Sequence, residues 1–360
     1  MTVGRSLLRA FLYAEDKEVV LTVGICPGCW ATASSISVDE RVFVLAKLDF
    51  SFRLLSPLLR RFSLARKTRE QLLRDQQRGI SHSFFVDLLI GNVVEGVTTR
   101  DGWVKGAAGP IEMRIYRADC TTGDRLPLVI FLHGGGWVSG KFVSHDWLAS
   151  SLARQSKSIV ISLAYRLAPD HPWPAAAENA YAGMIDVVQR ADAFGADSSR
   201  VAVVGDSSGG NLAAVIALMA RHRKGPKISF QGLMYPATDL MLESPSIDAH
   251  DDAPILTKAD VIAVVDHYLN GADASDPYVS PLRANSHSDL PPALIQVAEY
   301  DPLRDDGTRY AAALQASGVP VRLTTYVGQP HGFISFPHMS SAASQAIAEM
   351  AAELRVALSS

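Results

Sequence analysis

The chain has 360 residues, 48% of them hydrophobic, enough for one large domain or two small ones. Charged side chains make up 20% and the formal net charge is −3, so nothing in the balance points to a nucleic-acid partner. Three cysteines, Cys26, Cys29 and Cys120, are too few for a disulfide framework and suit a reducing compartment.

Residues 1–37 read as an N-terminal extension of uncertain order. Val19–Ile25 is apolar and Ala31-Thr32-Ala33 resembles a cleavage site. The preceding Glu15-Asp16-Lys17-Glu18 has the wrong charge sign for a signal-peptide n-region, which points to a cytoplasmic protein. Cys26-Pro27-Gly28-Cys29 has redox spacing but no strand–helix frame around it, and spacing alone is weak evidence. No apolar run reaches the roughly 18 residues of a membrane span, so no stable membrane insertion is expected.

Residues 38–94 are helical in character, with a basic cluster of Arg60, Arg61, Arg66, Lys67, Arg69, Arg74 and Arg78. The cluster reads as a solvated helix face; attraction of anionic substrates or lipid surfaces is the sharper alternative. From about 95 the pattern changes. Ile111–Arg117, Pro127–His133, Ser158–Ala164, Arg200–Gly205 and Ile228–Tyr235 read as strands, with helices expected near 143–155, 175–194 and 207–222. Residues 240–285 break the rhythm with Pro, Asp and Ser around one helical stretch near 257–270, as an insertion over the sheet would. Ala293–Tyr300 and Pro320–Val327 complete the strands, each followed by a helix, at 305–317 and 341–357. Buried apolar strands alternating with helices predict an α/β chain with a mainly parallel central sheet flanked by helices.

Gly205-Asp206-Ser207-Ser208-Gly209 follows one such strand and opens a helix, as a nucleophile elbow must. The elbow needs small residues two places either side of the nucleophile. Centring on Ser207 puts glycine at both; centring on Ser208 would put Asp206 in the crowded position. Ser207 is therefore the candidate nucleophile, and the Ser208 backbone N–H a candidate oxyanion donor. His133-Gly134-Gly135-Gly136-Trp137 follows another strand and exposes backbone N–H groups to a developing oxyanion. A phosphate loop would want a Gly-Lys-Ser/Thr ending, which is missing.

A serine nucleophile needs a base held by an acid, in chain order Ser, Asp, His for this architecture. The strand Ala293–Tyr300 ends at Asp301, whereas Asp305 and Asp306 fall in the next helix start, where carboxylates favour the dipole. His331 lies in the loop after the last strand, in Gln329-Pro330-His331-Gly332-Phe333, with His338 as its competitor. The candidate catalytic set is Ser207, Asp301 and His331.

With these motifs, joined by Tyr165-Arg166-Leu167-Ala168-Pro169, Asp276-Pro277-Tyr278 and Asp301-Pro302-Leu303-Arg304-Asp305, the chain resembles the bacterial hormone-sensitive-lipase (family IV) esterases of the α/β-hydrolase superfamily from about 95 to 357. The resemblance implies an α/β-hydrolase fold and a serine esterase acting on short- to medium-chain acyl esters without metal or cofactor. It also implies a helical cap, filled here by residues 38–94 and the insertion at about 240–285 of a catalytic domain spanning 95–360. Gly135, Gly136 and Ser208 would supply the oxyanion N–H groups. Trp137 and Gly134 are the candidate substrate-binding residues, with simple packing the competing reading for Trp137. Ser208 stands where the family usually has Ala, and Asp170 where it commonly has Glu. The expected partner is a small-molecule ester, and a homodimer is left open. The alternatives are an amide or carbamate hydrolase such as an arylformamidase, or a non-catalytic ligand-binding protein on the same fold.

Overall fold

The computed structural model describes residues 9–15, 18–24, 47–121 and 125–359, in two units, 1–46 and 47–360. In the first unit, β1 (Arg9–Glu15) and β2 (Glu18–Gly24) pair antiparallel, with Glu15 opposite Glu18. The sequence reading of this stretch contains no strands; yet RAFLYAE and EVVLTVG are rich in aromatic and β-branched residues and pair across a two-residue connection. Cys26 and Cys29 lie outside the described residues.

The second unit is built on an eight-stranded sheet of β3 (Val97–Gly106), β4 (Gly109–Ala118), β5 (Leu126–Leu132), β6 (Ile159–Leu163), β7 (Ala196–Asp206), β8 (Phe230–Met234), β9 (Ala293–Tyr300) and β10 (Val321–Pro330). Their spatial order is β10-β9-β8-β7-β5-β6-β4-β3. The pairings from β10 through to β6 are parallel, and only those made by β4 are antiparallel. The edge strand β3 is absent from the sequence reading because VTTRDGWVKG is mostly exposed and carries no apolar run.

Helices follow in chain order: α1 (Phe50–Leu59), α2 (Arg69–Arg78), α3 (Phe84–Ile90), α4 (Asp146–Ser156), α5 (Ala175–Gln189), α6 (Ser208–His222), α7 (Pro245–Ala249), α8 (Lys258–Leu269), α9 (Arg304–Ala316) and α10 (Ala343–Ala357). The two-residue strand period divides the core between them. Leu128, Ile130 and Leu132 of β5 face one apolar cluster, shared with α5, α6 and α9, while Val129 and Phe131 face another, shared with α4 and α10. Both faces are thus covered, which is why the central strands read as unbroken apolar runs.

The cap comes from two segments, α1–α3 and α7–α8, tied together by the Arg60–Asp252 ion pair and by one buried carboxylate. Asp260, in the first turn of α8, accepts hydrogen bonds from Ser63 Oγ (2.6 Å), the Ala65 N–H (2.9 Å) and Thr257 Oγ1 (2.7 Å).

Asp306 does more than favour a helix dipole. It is fully buried, accepts the backbone N–H groups of Thr238 and Asp239 (3.0 Å each) and bonds Ser244 Oγ. It thereby clamps the start of α9, three residues beyond the Asp301 loop, to the segment leaving β8. Burial, reinforced by the nearby Asp239 carboxylate, pushes the Asp306 carboxyl up to about 7 from an ordinary 3.8. A raised folded-state value means the stabilising proton is fully held below pH 3.8 and lost as the pH rises through about 7. Asp306→Asn, which cannot ionise, is therefore expected to show an unfolding free-energy deficit that narrows as pH rises from 5 to 8, measured by urea titration across that range.

Candidate active site

β7 delivers Ser207 at its C-terminal end, and α6 departs one residue later. Ser207 has φ 55° and ψ −119°, outside the ordinary wells for a residue with a side chain. The chain can turn this way because of its neighbours. A Cβ at Gly205 would lie 2.2 Å from the Gly209 carbonyl oxygen, and one at Gly209 would lie 1.9 Å from that of Leu132. Both flanking positions therefore admit only glycine, and the start of α6 rests directly on the end of β5. This is the frame that singles out Ser207 rather than Ser208, whose side chain is buried in the helix start.

His331 follows β10, and Asp301 follows its parallel neighbour β9. His331 Nε2 lies 2.9 Å from Ser207 Oγ, and His331 Nδ1 lies 2.8 Å from Asp301 Oδ2. The other Asp301 oxygen accepts the Leu303 N–H at 2.7 Å. With Nδ1–H donating to the carboxylate, Nε2 is left to accept the serine O–H. Tyr235, the first residue beyond β8, packs its ring against the imidazole at 4.8 Å between centroids. The competitors lie elsewhere: His338 is exposed, Asp305 bonds Arg304 and the Ser246 N–H, and Asp306 holds the clamp described above.

The glycine loop runs from the end of β5, beside the elbow, with Gly135 at φ 120° and Gly136 at φ 64°. Among the described residues the N–H groups of Gly135 and Gly136 donate to no other group in the chain. The Ser208 N–H, in the first turn of α6, has no intrahelical acceptor by position. The Gly134 N–H, by contrast, donates to Asp206 Oδ1 at 2.8 Å. Trp137 is 2% exposed and stacked on Tyr268 of α8, with centroids 4.4 Å apart and planes 4° from parallel. It joins the loop to the cap by packing.

The family described as "alpha/beta hydrolase fold" matches residues 129–335. The chain belongs to the α/β-hydrolases. Within them it sits on the hormone-sensitive-lipase-like branch. It is 43% identical over 258 residues to esterase LipI of Mycobacterium tuberculosis, covering 71% of this chain and 81% of that one. It is 36% identical over 244 residues to an ethyl acetate hydrolase of Pseudomonas putida, covering 66% and 74%. The solved hyperthermophilic esterase from Pyrobaculum calidifontis superposes with a TM-score of 0.75 at 35% identity, covering 86% of this chain and 99% of that one. This α/β-hydrolase is a carboxylic ester hydrolase.

Four buried residues to which the sequence reading gave no role hold the hydrolase's glycine loop from beneath. Asp206 accepts from Gly134 on one side and pairs with His145 Nε2 at 3.1 Å on the other, all of them buried. Burial alone would pull the His145 imidazole down, but the Asp206 charge and hydrogen bond hold it above its usual range. Burial would likewise raise Asp206, yet the His145 charge and the bonds from His145 and Gly134 leave it below the usual carboxylate range. His133 is different: burial, then the charge of His145, push it down to about 4, so it stays neutral and donates Nδ1–H to the Gly134 carbonyl at 2.9 Å. Tyr165 closes the underside with its O–H on the His133 carbonyl at 2.6 Å. A sequence cue existed in the acidic residue wedged between Gly205 and Ser207, where a carboxylate must find a buried partner.

The His145 proton is held fully below pH 6.5, and its contribution is lost as pH rises through the raised value. Asp206→Asn keeps an acceptor for Gly134 but removes the charge. It is expected to cost about 3 kcal/mol near pH 6, as for breaking a buried ion pair, with a smaller deficit at alkaline pH in denaturant titrations.

Proposed function

We propose that this hydrolase is a serine carboxylesterase that cleaves short- to medium-chain acyl esters through an acyl-enzyme on Ser207. The observation that carries the reading is the continuous hydrogen-bond line from Ser207 Oγ through His331 to Asp301, at 2.9 and 2.8 Å. Ser207 Oγ attacks the ester carbonyl carbon while His331 Nε2 takes its proton. Asp301 orients the ring and balances the imidazolium charge. The oxyanion rests on the N–H groups of Gly135, Gly136 and Ser208, each such donor being worth about 3–4 kcal/mol of barrier. When the ester C–O bond breaks, His331 returns the proton to the leaving alcohol. A water then attacks the acyl carbon, His331 takes its proton, and the acid departs as Ser207 regains its hydrogen. The relative named for ethyl acetate supports the short-chain end of the range.

Ser207→Ala is expected to lower turnover of p-nitrophenyl acetate by about 10⁴-fold or more. Ser208→Ala keeps the backbone N–H and is expected to stay within a few-fold of the wild type. A phosphonate ester should label Ser207, read by fragment mass spectrometry; labelling at Ser208 would overturn the assignment. Across p-nitrophenyl esters from acetate to palmitate, rates should fall toward the longest chains, and N-formyl aryl amides should turn over more slowly than short esters. Faster amide turnover would make the protein an amidase of the same architecture.

A further inference from the structure

We propose that the outward face of the cap between Arg74 and Leu89 docks on an anionic lipid bilayer surface. The inference stands apart from the reaction at Ser207 and starts from an inverted helix. None of the seven residues of α3 is buried. Phe84 and Phe85 are each 76% exposed, Leu88 53% and Leu89 39%. At 100° per residue these four fall within one 140° arc, while Val86, Asp87 and Ile90 occupy the opposite side. The large apolar side chains therefore form one stripe facing water, where a surface helix normally shows its polar face. Polar contacts fix the helix in that attitude. His82 bridges Asp87 (2.5 Å) and the buried Asp146 (3.0 Å), and the Val94 N–H bonds Ser150 Oγ (3.0 Å).

Charge identifies the partner. Residues 47–94 carry nine Lys and Arg against four Asp and Glu, a net of +5 in a chain whose total is −3. Three of these cations are paired, Arg60 with Asp252, Lys67 with Asp75 and Arg69 with Asp170. Arg61, Arg66, Arg74 and Arg78 are exposed, and among the described residues no carboxylate lies within ion-pair distance of them. Arg74 and Arg78 lie on the side of α2 opposite its one buried residue, Leu72. Only five residues separate Arg78 from Phe84, at most about 20 Å of chain. Unpaired cations beside an apolar stripe match a bilayer interface, where phosphates meet acyl chains. A second copy of the chain fits less well, since it would bring two cationic caps face to face. No helix among the described residues is long and apolar enough to cross a membrane, so the contact would be peripheral, with α3 lying in the interface plane.

The test is flotation of the full chain with vesicles of phosphatidylcholine alone and of phosphatidylcholine mixed with phosphatidylglycerol. Binding is expected only with phosphatidylglycerol present and should weaken as salt is raised. The double change Phe84→Ser/Phe85→Ser, at exposed positions with circular dichroism as the check on folding, should weaken binding about tenfold or more. Arg74→Gln/Arg78→Gln should do the same. The inactive Ser207→Ala protein should bind like the wild type, which separates this surface from the catalytic reading. Absence of binding at low salt, equal binding to both vesicle types, or binding indifferent to Phe84→Ser/Phe85→Ser would overturn the proposal. So would a sedimentation result in which the wild type is a dimer and that double variant a monomer, which would assign the stripe to a second copy.

Discussion

The geometry of the candidate site depends on one steric constraint, the backbone of Ser207 at positive φ. Such a conformation costs on the order of 1–3 kcal/mol and persists only when its surroundings over-determine it. Here they do so by contact. Gly205 and Gly209 lie too close to backbone oxygens for any side chain, one locking the turn on itself and the other seating α6 on the end of β5. The same contact that permits the turn thereby sets the serine beside the glycine loop.

The parallel sheet supplies the rest of the geometry. Because β10, β9, β8, β7 and β5 are successive neighbours, His331, Asp301, Tyr235, Ser207 and His133 all emerge along one edge. With strands about 4.8 Å apart, His331 reaches both Asp301 and Ser207 by hydrogen bonds and packs on the Tyr235 ring. Beneath this row, Asp206 and His145 form a buried ion pair whose third partner is the Gly134 N–H. A buried charge is tolerable only when paired and hydrogen-bonded. The pair therefore holds the loop in one position while leaving the next two N–H groups without an acceptor among the described residues.

The cap obeys a different logic. Its two segments meet through the hydrogen bonds that Asp260 accepts from Ser63 and Ala65, and the Trp137–Tyr268 stack joins it to the glycine loop, so polar and aromatic contacts set its position. Its outer surface keeps both the excess positive charge and the apolar stripe of α3, a distribution that water alone does not favour.

How much of this was legible in the sequence follows the physics of each element. The central strands, the elbow frame and the order Ser207, Asp301, His331 could be read because unbroken apolar runs and obligatory glycines are local signals. The choice of Asp301 over Asp305 and Asp306, and of His331 over His338, also rested on strand ends, and the fold puts only Asp301 and His331 in contact. What the sequence could not express were partners chosen across distance. β3 is an edge strand with too little apolar surface to announce itself, and β1 and β2 gain their meaning only by pairing. Asp206 with His145, Asp306 with Ser244, and Gly134 turned inward to Asp206 are separated by dozens of residues along the chain. Composition and spacing determined which reactive side chains this chain carries and in what order. Only the tertiary structure decided which carboxylates are buried, which N–H groups stay without an acceptor and which apolar side chains face water, because each of those depends on neighbours that the chain brings together only by folding.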